Sequence, residues 1–401
     1  MQKLMSPYNG GMKNPGRIIF SDTTMREGEQ CPGVVFTLDE KKELMRRLSA
    51  CGISQIQFYP GKTAQSKQDV KTLSSLDVNA DVMVMALGFE DCWKENIDFS
   101  LECNTGINHC SFYSSRYVEP NWCEDTPKIT LDRMQEAIEY IKSQSNRPIE
   151  ITLIDATRAE EKHLIDLVNR AADAGANRIS ICDTVGAANP EGMYRIVKTC
   201  ADALSSYPDI ILGAHCHNDF GVALANTLMS IKAGARMVDV AVNGMGDRAG
   251  NAALAEVAVA LEAFYDIDTG IDLKQMRGLS QFVAKVSGRP LPVNMPLVGD
   301  HVFIDQDDYH IESQLINPLA FKGIRAEEVG GQYGVMFGKL TGPAAIGYMA
   351  KKYNRPINGS DIPAIRSAIY EEAAKSKKGV CLGEDAFWRI VSEAEARIKQ
   401  G

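Results

Sequence analysis

The chain has 401 residues, 45% hydrophobic and 24% charged, with 33 Gly and 16 Pro; this is ordinary globular composition and excludes disordered, fibrous and membrane-spanning classes. Forty-three Lys and Arg against 52 Asp and Glu give a formal net charge of -9, and without a long block of like charge no nucleic-acid partner is expected. No segment approaches the ~18 apolar residues of a membrane span, and the polar, Gly-rich stretch from Met1 to Gly16 lacks a signal-peptide core, which predicts a cytoplasmic protein with no membrane partner.

Short β-branched runs alternate with amphipathic stretches along the first two thirds of the chain. The runs predict eight strands, at residues 17–20, 53–59, 81–86, 106–112, 149–154, 177–181, 210–214 and 237–242. Between them, helical spacing of apolar residues appears over 37–50 (Leu38, Leu44 and Leu48 on one side), 91–103, 131–143, 160–174, 190–205 and 221–233. Eight βα units in ~250 residues match a (β/α)8 TIM barrel, placed at residues 1–270. A doubly wound sheet is the rival, but no Gly-x-Gly-x-x-Gly turn follows the first run. Residues 271–401 form a smaller, mostly helical C-terminal region: a helix over 273–287, a break at Gly288-Arg289-Pro290-Leu291-Pro292, an irregular stretch to about Phe337, then three helical patterns. The ten cysteines are scattered without a CxxC pair, the pattern of reduced core thiols.

In such a barrel the active site lies at the carboxyl ends of the strands. Two polar clusters sit there: Asp22-Thr23-Thr24-Met25-Arg26-Glu27-Gly28-Glu29-Gln30 after the first strand, and His215-Cys216-His217-Asn218-Asp219 after the seventh. Residues two apart in an extended segment point the same way, so His215 and His217 turn both imidazoles to one side, as a shared divalent metal requires. Asp219 is a candidate to support them from behind. Two locally hydrogen-bonded histidines are the plainer alternative.

Those clusters, with Gly213-Ala214-His215-Cys216-His217-Asn218-Asp219-Phe220-Gly221 and Asn243-Gly244-Met245-Gly246-Asp247-Arg248-Ala249-Gly250-Asn251, resemble the homocitrate synthase and 2-isopropylmalate synthase group, acyltransferases related to hydroxymethylglutaryl-CoA lyase. The resemblance implies a Claisen-type condensation of acetyl-CoA, the cosubstrate, with a 2-oxo acid. It implies Glu27, His215, His217 and Asn251 as ligands of a divalent cation (Mg, Mn, Zn or Co), and Arg26 beside the ketone oxygen, where a fixed guanidinium stabilises the developing alkoxide. Thr184, in Asp183-Thr184-Val185-Gly186, matches a substrate-carboxylate contact, with a turn cap as its alternative. His310 fits the segment that carries a proton-transfer histidine, with a surface histidine as its alternative. The layout implies a homodimer and no long leucine-sensing domain.

The chain departs from that pattern near the chemistry. Ile154 and Gln57 stand where the group has glutamates, Phe321 where it has tyrosine, Asp305 where it has histidine, and Gly338-Lys339-Leu340-Thr341-Gly342 replaces a His-Ser run. A synthase with an unusual acceptor, a lyase or aldolase with the same metal site, and an inactive metabolite-binding homologue all stay open. His109, Arg116 and Lys62, near strand ends, are candidates to meet a distal anionic group of the substrate, with a solvated surface role as the plainer alternative for each, whereas Ile154 favours an apolar one.

Overall fold

The computed structural model describes residues 1–377 and 379–400. Eight parallel strands form one sheet: β1 (Ile19–Asp22), β2 (Gln55–Phe58), β3 (Asp81–Val84), β4 (Asn108–Tyr113), β5 (Ile149–Ile154), β6 (Arg178–Asp183), β7 (Ile211–Cys216) and β8 (Met237–Val240). Their order is β3-β2-β1-β8-β7-β6-β5-β4, and parallel bridges from Met83 to Ile107 and from Leu87 to Ser111 join the two ends. The sheet is therefore the expected closed barrel. A helix follows each strand: α1 (Leu38–Ala50), α2 (Ala64–Ser74), α3 (Trp93–Glu102), α4 (Thr126–Gln144), α5 (Glu161–Ala174), α6 (Pro190–Ala203), α7 (Ala223–Ala233) and α8 (Leu254–Tyr265).

Local chemistry accounts for these elements. At the start of α1 the Thr37 side chain accepts from Glu40 N–H while the Glu40 carboxylate accepts from Thr37 N–H, a reciprocal cap. Helix α5 stops where Gly175 adopts a left-handed φ of 106°. All eight strands fall where the β-branched runs place them, with ends displaced by a residue or two. Helix α2 lies outside the helical stretches read from the sequence because only Val70, Leu73 and Ser74 are buried, too narrow a stripe to stand out. Helix α4 starts before the apolar periodicity does, since Pro127 is preorganised for a first turn.

Register carries the facing of side chains around the barrel. Ser21 lies opposite Gln55 and Asp239, Gln57 opposite Met83, His109 opposite Glu150, Ser111 opposite Thr152, Thr152 opposite Ser180, and Cys182 opposite His215. Gln57 donates to Asp239 and Gln55 to Glu150, so this polar set shares the inner face. The alternate residues, such as Phe20, Ile56, Phe58, Phe112, Ile151 and Ile181, are buried on the other face, against the helices.

The described chain divides into two compact units, Gly10–Leu291 and Met1–Asn9 with Pro292–Gly401. The first ends with α9 (Met276–Ser287), inside the stretch predicted helical. The second contains β9 (Ile304–Asp305), α10 (Asp308–Ile316), β10 (Gly334–Val335), α11 (Pro343–Lys352), α12 (Ile362–Lys375) and α13 (Glu384–Gln400). Its core packs Ile311, Phe337, Ile346, Met349, Ile365, Phe387 and Val391, with Phe337 and Phe387 stacked at 4.4 Å. Helix α10 falls in the stretch expected to be irregular: the Asp307 side chain caps it, but Ile311 and Gln314 alone are buried, so it lacks an apolar stripe. The cysteine expectation also needs amending. All ten are free, but Cys92, Cys123 and Cys381 are exposed while Cys51, Cys103, Cys110, Cys182, Cys200 and Cys216 are buried.

Glu150 lies on the inner face and is fully buried. Burial, aided by the Asp239 charge, pushes its carboxyl up to about 7 from 4.5, although Arg178 and the Gln55 amide oppose the shift. A carboxyl raised in the fold contributes stability below its unfolded value and loses it as pH rises through the folded one. Glu150→Gln, which keeps an acceptor for Gln55, should raise stability at pH 8 by up to about 3 kcal/mol. The gain should shrink towards pH 5, as checked by urea unfolding across that range.

Candidate active site

The chain leaves β1 in a turn that is pinned to the neighbouring strand end. Thr23 N–H donates to Val240 O at 2.8 Å, the Asp22 carboxylate accepts from Thr24 N–H and Oγ1 at 3.0 and 2.9 Å, and Thr24 Oγ1 accepts from Val242 N–H at 2.8 Å. The turn continues with Glu27 N–H donating to Thr23 O at 2.7 Å. It buries Arg26 and Glu27 at 8% and 4% exposure. From β7 come His215 and, just beyond it, His217, whose backbone bridges to Asn251.

Glu27, His215 and His217 converge, with one ligand atom from each lying within 4.8 Å of the others. His215 Nε2 and His217 Nε2 are 3.1 Å apart, and these nitrogens lie 3.8 and 4.0 Å from the Glu27 oxygens. The second ring nitrogen of His215, Nδ1, faces Asp239 Oδ2 at 2.9 Å; in the tautomer in which Nδ1 donates to that carboxylate, Nε2 presents a lone pair to the site. Burial is the largest cause that holds the His217 imidazole down at about 3, so it is neutral at neutral pH. For Glu27 burial opposes ionisation, but the adjacent charge, that of Arg26 above all, outweighs it and keeps the carboxyl below its usual range. Two neutral imidazoles and a carboxylate form a donor set for a divalent first-row cation. The buried Glu27 Oε2 and Asn251 Oδ1 have no hydrogen-bond partner, and buried polar atoms of that kind call for a ligand. The residues present therefore fit a metal.

Asn251 donates Nδ2 to His215 Nε2 at 3.2 Å; exchanging the two ends of its amide, which look alike to the fold, presents oxygen at the same point. Arg26 is held on three sides. Its Nε donates to Gln57 Oε1 at 2.6 Å, its Nη1 to Glu27 Oε1 at 2.5 Å, and its Nη2 lies 3.7 Å from Asp239 Oδ2. Gln57, one of the departures, uses its other end to donate to Ser21 Oγ at 2.6 Å and Asp239 Oδ1 at 2.8 Å. Asp239 is the residue that sequence reasoning missed. The available signal was a lone carboxylate in the apolar run Met237-Val238-Asp239-Val240.

Other candidates occupy different places. Asp219 does not reach the histidines; it pairs with Arg248 at 2.8 and 3.0 Å, and Asp239 does the supporting instead. Thr184 Oγ1 accepts from Asp155 N–H at 2.8 Å, the turn role, and keeps its own proton to donate. His109 is buried, with Nδ1 accepting from Ala86 N–H at 3.3 Å and Nε2 2.9 Å from Thr152 Oγ1. Burial pushes its imidazole down to about 3, so it is no cation for a distal anion. Arg116 is exposed, its guanidinium 5.2 Å over the Tyr117 ring and Nη2 donating to Tyr117 Oη at 3.3 Å. It lines a cavity of about 480 Å³ with Tyr117, Trp122 and Arg158. Lys62 is exposed in the loop after β2. His310 lies on α10 in the second unit, stacked on Phe321 at 4.0 Å, and Asp305 there accepts from Gln314 and from Lys322 at 3.2 Å.

Removing His215 or Glu27 by substitution with Ala should abolish retention of Mn²⁺ through gel filtration, read by metal analysis. Asp239→Asn should weaken Mn²⁺ binding ~10–100-fold, the usual cost of losing an orienting partner behind a ligand, with an unchanged far-ultraviolet spectrum. Its two oxygens serve two donors, and an amide can accept with only one end.

The HMGL-like family model matches residues 17–283. The chain is 35% identical over 358 residues to 2-isopropylmalate synthase 2 of Caldanaerobacter subterraneus subsp. tengcongensis, covering 89% of this chain and 91% of that protein. It is also 35% identical over 397 residues to homocitrate synthase AksA of Methanocaldococcus jannaschii, covering 98% and 94%. Among solved structures, hydroxymethylglutaryl-CoA lyase from Pseudomonas aeruginosa superposes with a TM-score of 0.57 at 18% identity, covering 69% of this chain and 94% of that one, a likeness of fold alone. With its barrel matched along its length and synthases similar over most of the chain, this protein belongs to the HMGL-like family.

Proposed function

We propose that the protein is a divalent-metal-dependent acyltransferase that condenses acetyl-CoA with a 2-oxo acid and releases CoA. The observation that carries this reading is the convergence of Glu27, His215 and His217 beside a guanidinium fixed by Gln57 and Glu27, in a chain 35% identical to named synthases. The lyase direction has behind it likenesses of fold at 18 to 20% identity.

Glu27, His215 and His217 would hold the cation, with Asn251 as a fourth ligand. A divalent cation bound there supplies Lewis acidity towards the ketone and carboxylate oxygens of the 2-oxo acid. Arg26 holds its Nη2 beyond hydrogen-bond range of Asp239, which leaves those protons to meet the ketone oxygen. As the acetyl methyl loses a proton and its carbon bonds to the ketone carbon, negative charge gathers on that oxygen. A guanidinium already in place stabilises it without reorganisation. Thr184 donates its hydroxyl proton to the acceptor's carboxylate. His310 is assigned the proton transfer at the acetyl methyl, and water then hydrolyses the thioester to free CoA. The exposed Tyr309, Leu315, Ile316 and Phe321 of the second unit support burial of that face in a homodimer.

The test is thiol release by purified protein with Mn²⁺ or Mg²⁺, acetyl-CoA and a panel of 2-oxo acids. CoA should appear only when both substrates are present; its appearance from a hydroxy acyl-CoA alone would establish the lyase direction instead. Arg26→Lys, which keeps the charge but loses the fork that Gln57 and Glu27 orient, should lower kcat ~10²–10³-fold with the KM for acetyl-CoA little changed.

A further inference from the structure

Opposite the metal-ligating strands, the inner face of β2 to β5 changes character towards its carboxyl end. Tyr113 pairs in register with Ile154, and Ser111, one inward position earlier on β4, pairs with Thr152 and bridges to Leu87. Met85 and Tyr59 continue the inward alternation begun by Met83 and Gln57. Deeper inward residues, Gln57, Met83 and His109, are buried at 1%, 1% and 2%, but Tyr59, Met85, Leu87, Tyr113 and Ile154 are all partly exposed. Phe89 stacks on Tyr113 at 3.9 Å. These six residues make an accessible aromatic and aliphatic wall at the mouth of the barrel.

No cation faces that wall from the strands beneath it. Arg26 is engaged by Gln57 and Glu27, Arg178 donates to Gln55 Oε1 at 2.5 Å near the opposite end of the barrel, and His109 is neutral with both ring nitrogens occupied. Burial raises the Tyr59 and Tyr113 phenols, with Glu90 acting on both and Glu119 on Tyr113 in the same direction, while the Arg133 guanidinium donates to Phe89 O at 3.1 Å and stands 3.9 Å from Asp91. Glu90 is itself held by Asn96 Nδ2 at 3.0 Å. A second carboxylate on a substrate would lose its hydration against this wall with no partner and would face Glu90. An uncharged aliphatic or aromatic group would gain buried apolar contact.

We infer that the acceptor is a 2-oxo acid with an apolar side chain, and that Tyr59, Met85, Leu87, Phe89, Tyr113 and Ile154 form the surface that selects it. This rests on the Claisen reading above, whose acceptor side chain it specifies. The selection is by exclusion as much as by fit: removing Ile154 in favour of a cation supplies the partner that a distal carboxylate lacks.

Two measurements on the full-length, Mn²⁺-loaded protein test it. The first is calorimetric binding, without acetyl-CoA, of 4-methyl-2-oxopentanoate and phenylpyruvate against oxaloacetate and 2-oxoglutarate. The second is CoA release from acetyl-CoA with the same four acids. The apolar acids should bind and turn over at least about a hundredfold better, the discrimination expected when a charged group is left unpaired. Ile154→Arg should reverse the order in favour of 2-oxoglutarate, and Leu87→Arg is the second variant should that one misfold. Equal or better use of the dicarboxylic acids by the wild-type protein would overturn the inference and leave the condensation standing. If no acid releases CoA, the condensation reading falls, and the binding order still decides which side chain the wall accepts.

Discussion

The site depends on one buried carboxylate. Asp239 is 5% exposed, and an ionised group so placed is tolerated only where donors surround it. Here His215 Nδ1 and Gln57 Nε2 supply those donors at 2.9 and 2.8 Å, with the Arg26 guanidinium 3.7 Å away. Each partner is constrained in return. His215 is held through Nδ1, so that its Nε2 faces His217 and Glu27 at 3.1 and 3.8 Å. Gln57 cannot turn over without setting its amide protons against Arg26, so its oxygen holds Arg26 Nε in place. The candidate ligand His215 and the Arg26 guanidinium are thus oriented through the same carboxylate.

That arrangement has a cost visible lower in the barrel. Barrel interiors are commonly filled by layers of branched apolar side chains, but this one carries a hydrogen-bonded chain: Arg178 donates to Gln55, Gln55 to Glu150 and Ser21, and Gln57 to Ser21. Such a polar network gives up hydrophobic burial, and one of its atoms, the buried Glu150 Oε1, has no hydrogen-bond partner. Strain is stored at the same end as the chemistry. Asp155, Asn243 and Arg248, all beyond strand ends at the mouth, have φ of 62°, 59° and 55°, conformations costly for side-chain-bearing residues and held by their surroundings. Asp155 is held by Arg158, Ser115 and Thr184.

Much of this was legible in the linear chain, for a physical reason in each case. Parallel strands buried on both faces read as apolar β-branched runs, which is why β5 is recognised to the residue at 149–154. The pairing of His215 with His217 is legible because alternation in an extended segment is a local property. Helices α2 and α10 were not, because neither buries a broad stripe and both are held by caps and neighbours. His109 looked like a cation available to a substrate, but its protonation is set by burial, which no local pattern reports.

The sequence by itself determined the eight-strand alternation and the turning of His215 and His217 to one side, since these follow from periodicity; Glu27 joined them as a candidate only through the family resemblance. Only the tertiary structure decided that Asp239 and not Asp219 stands behind His215, that Gln57 is a bridge and not merely a lost carboxylate, and that Tyr59, Met85, Leu87, Tyr113 and Ile154 gather on one inner face at the mouth of the barrel. Asp239, Gln57 and His215 are remote in the chain, and barrel closure brings them together. Hydrogen bonds, desolvation and charge act over a few ångströms of space, and the sequence does not measure that distance.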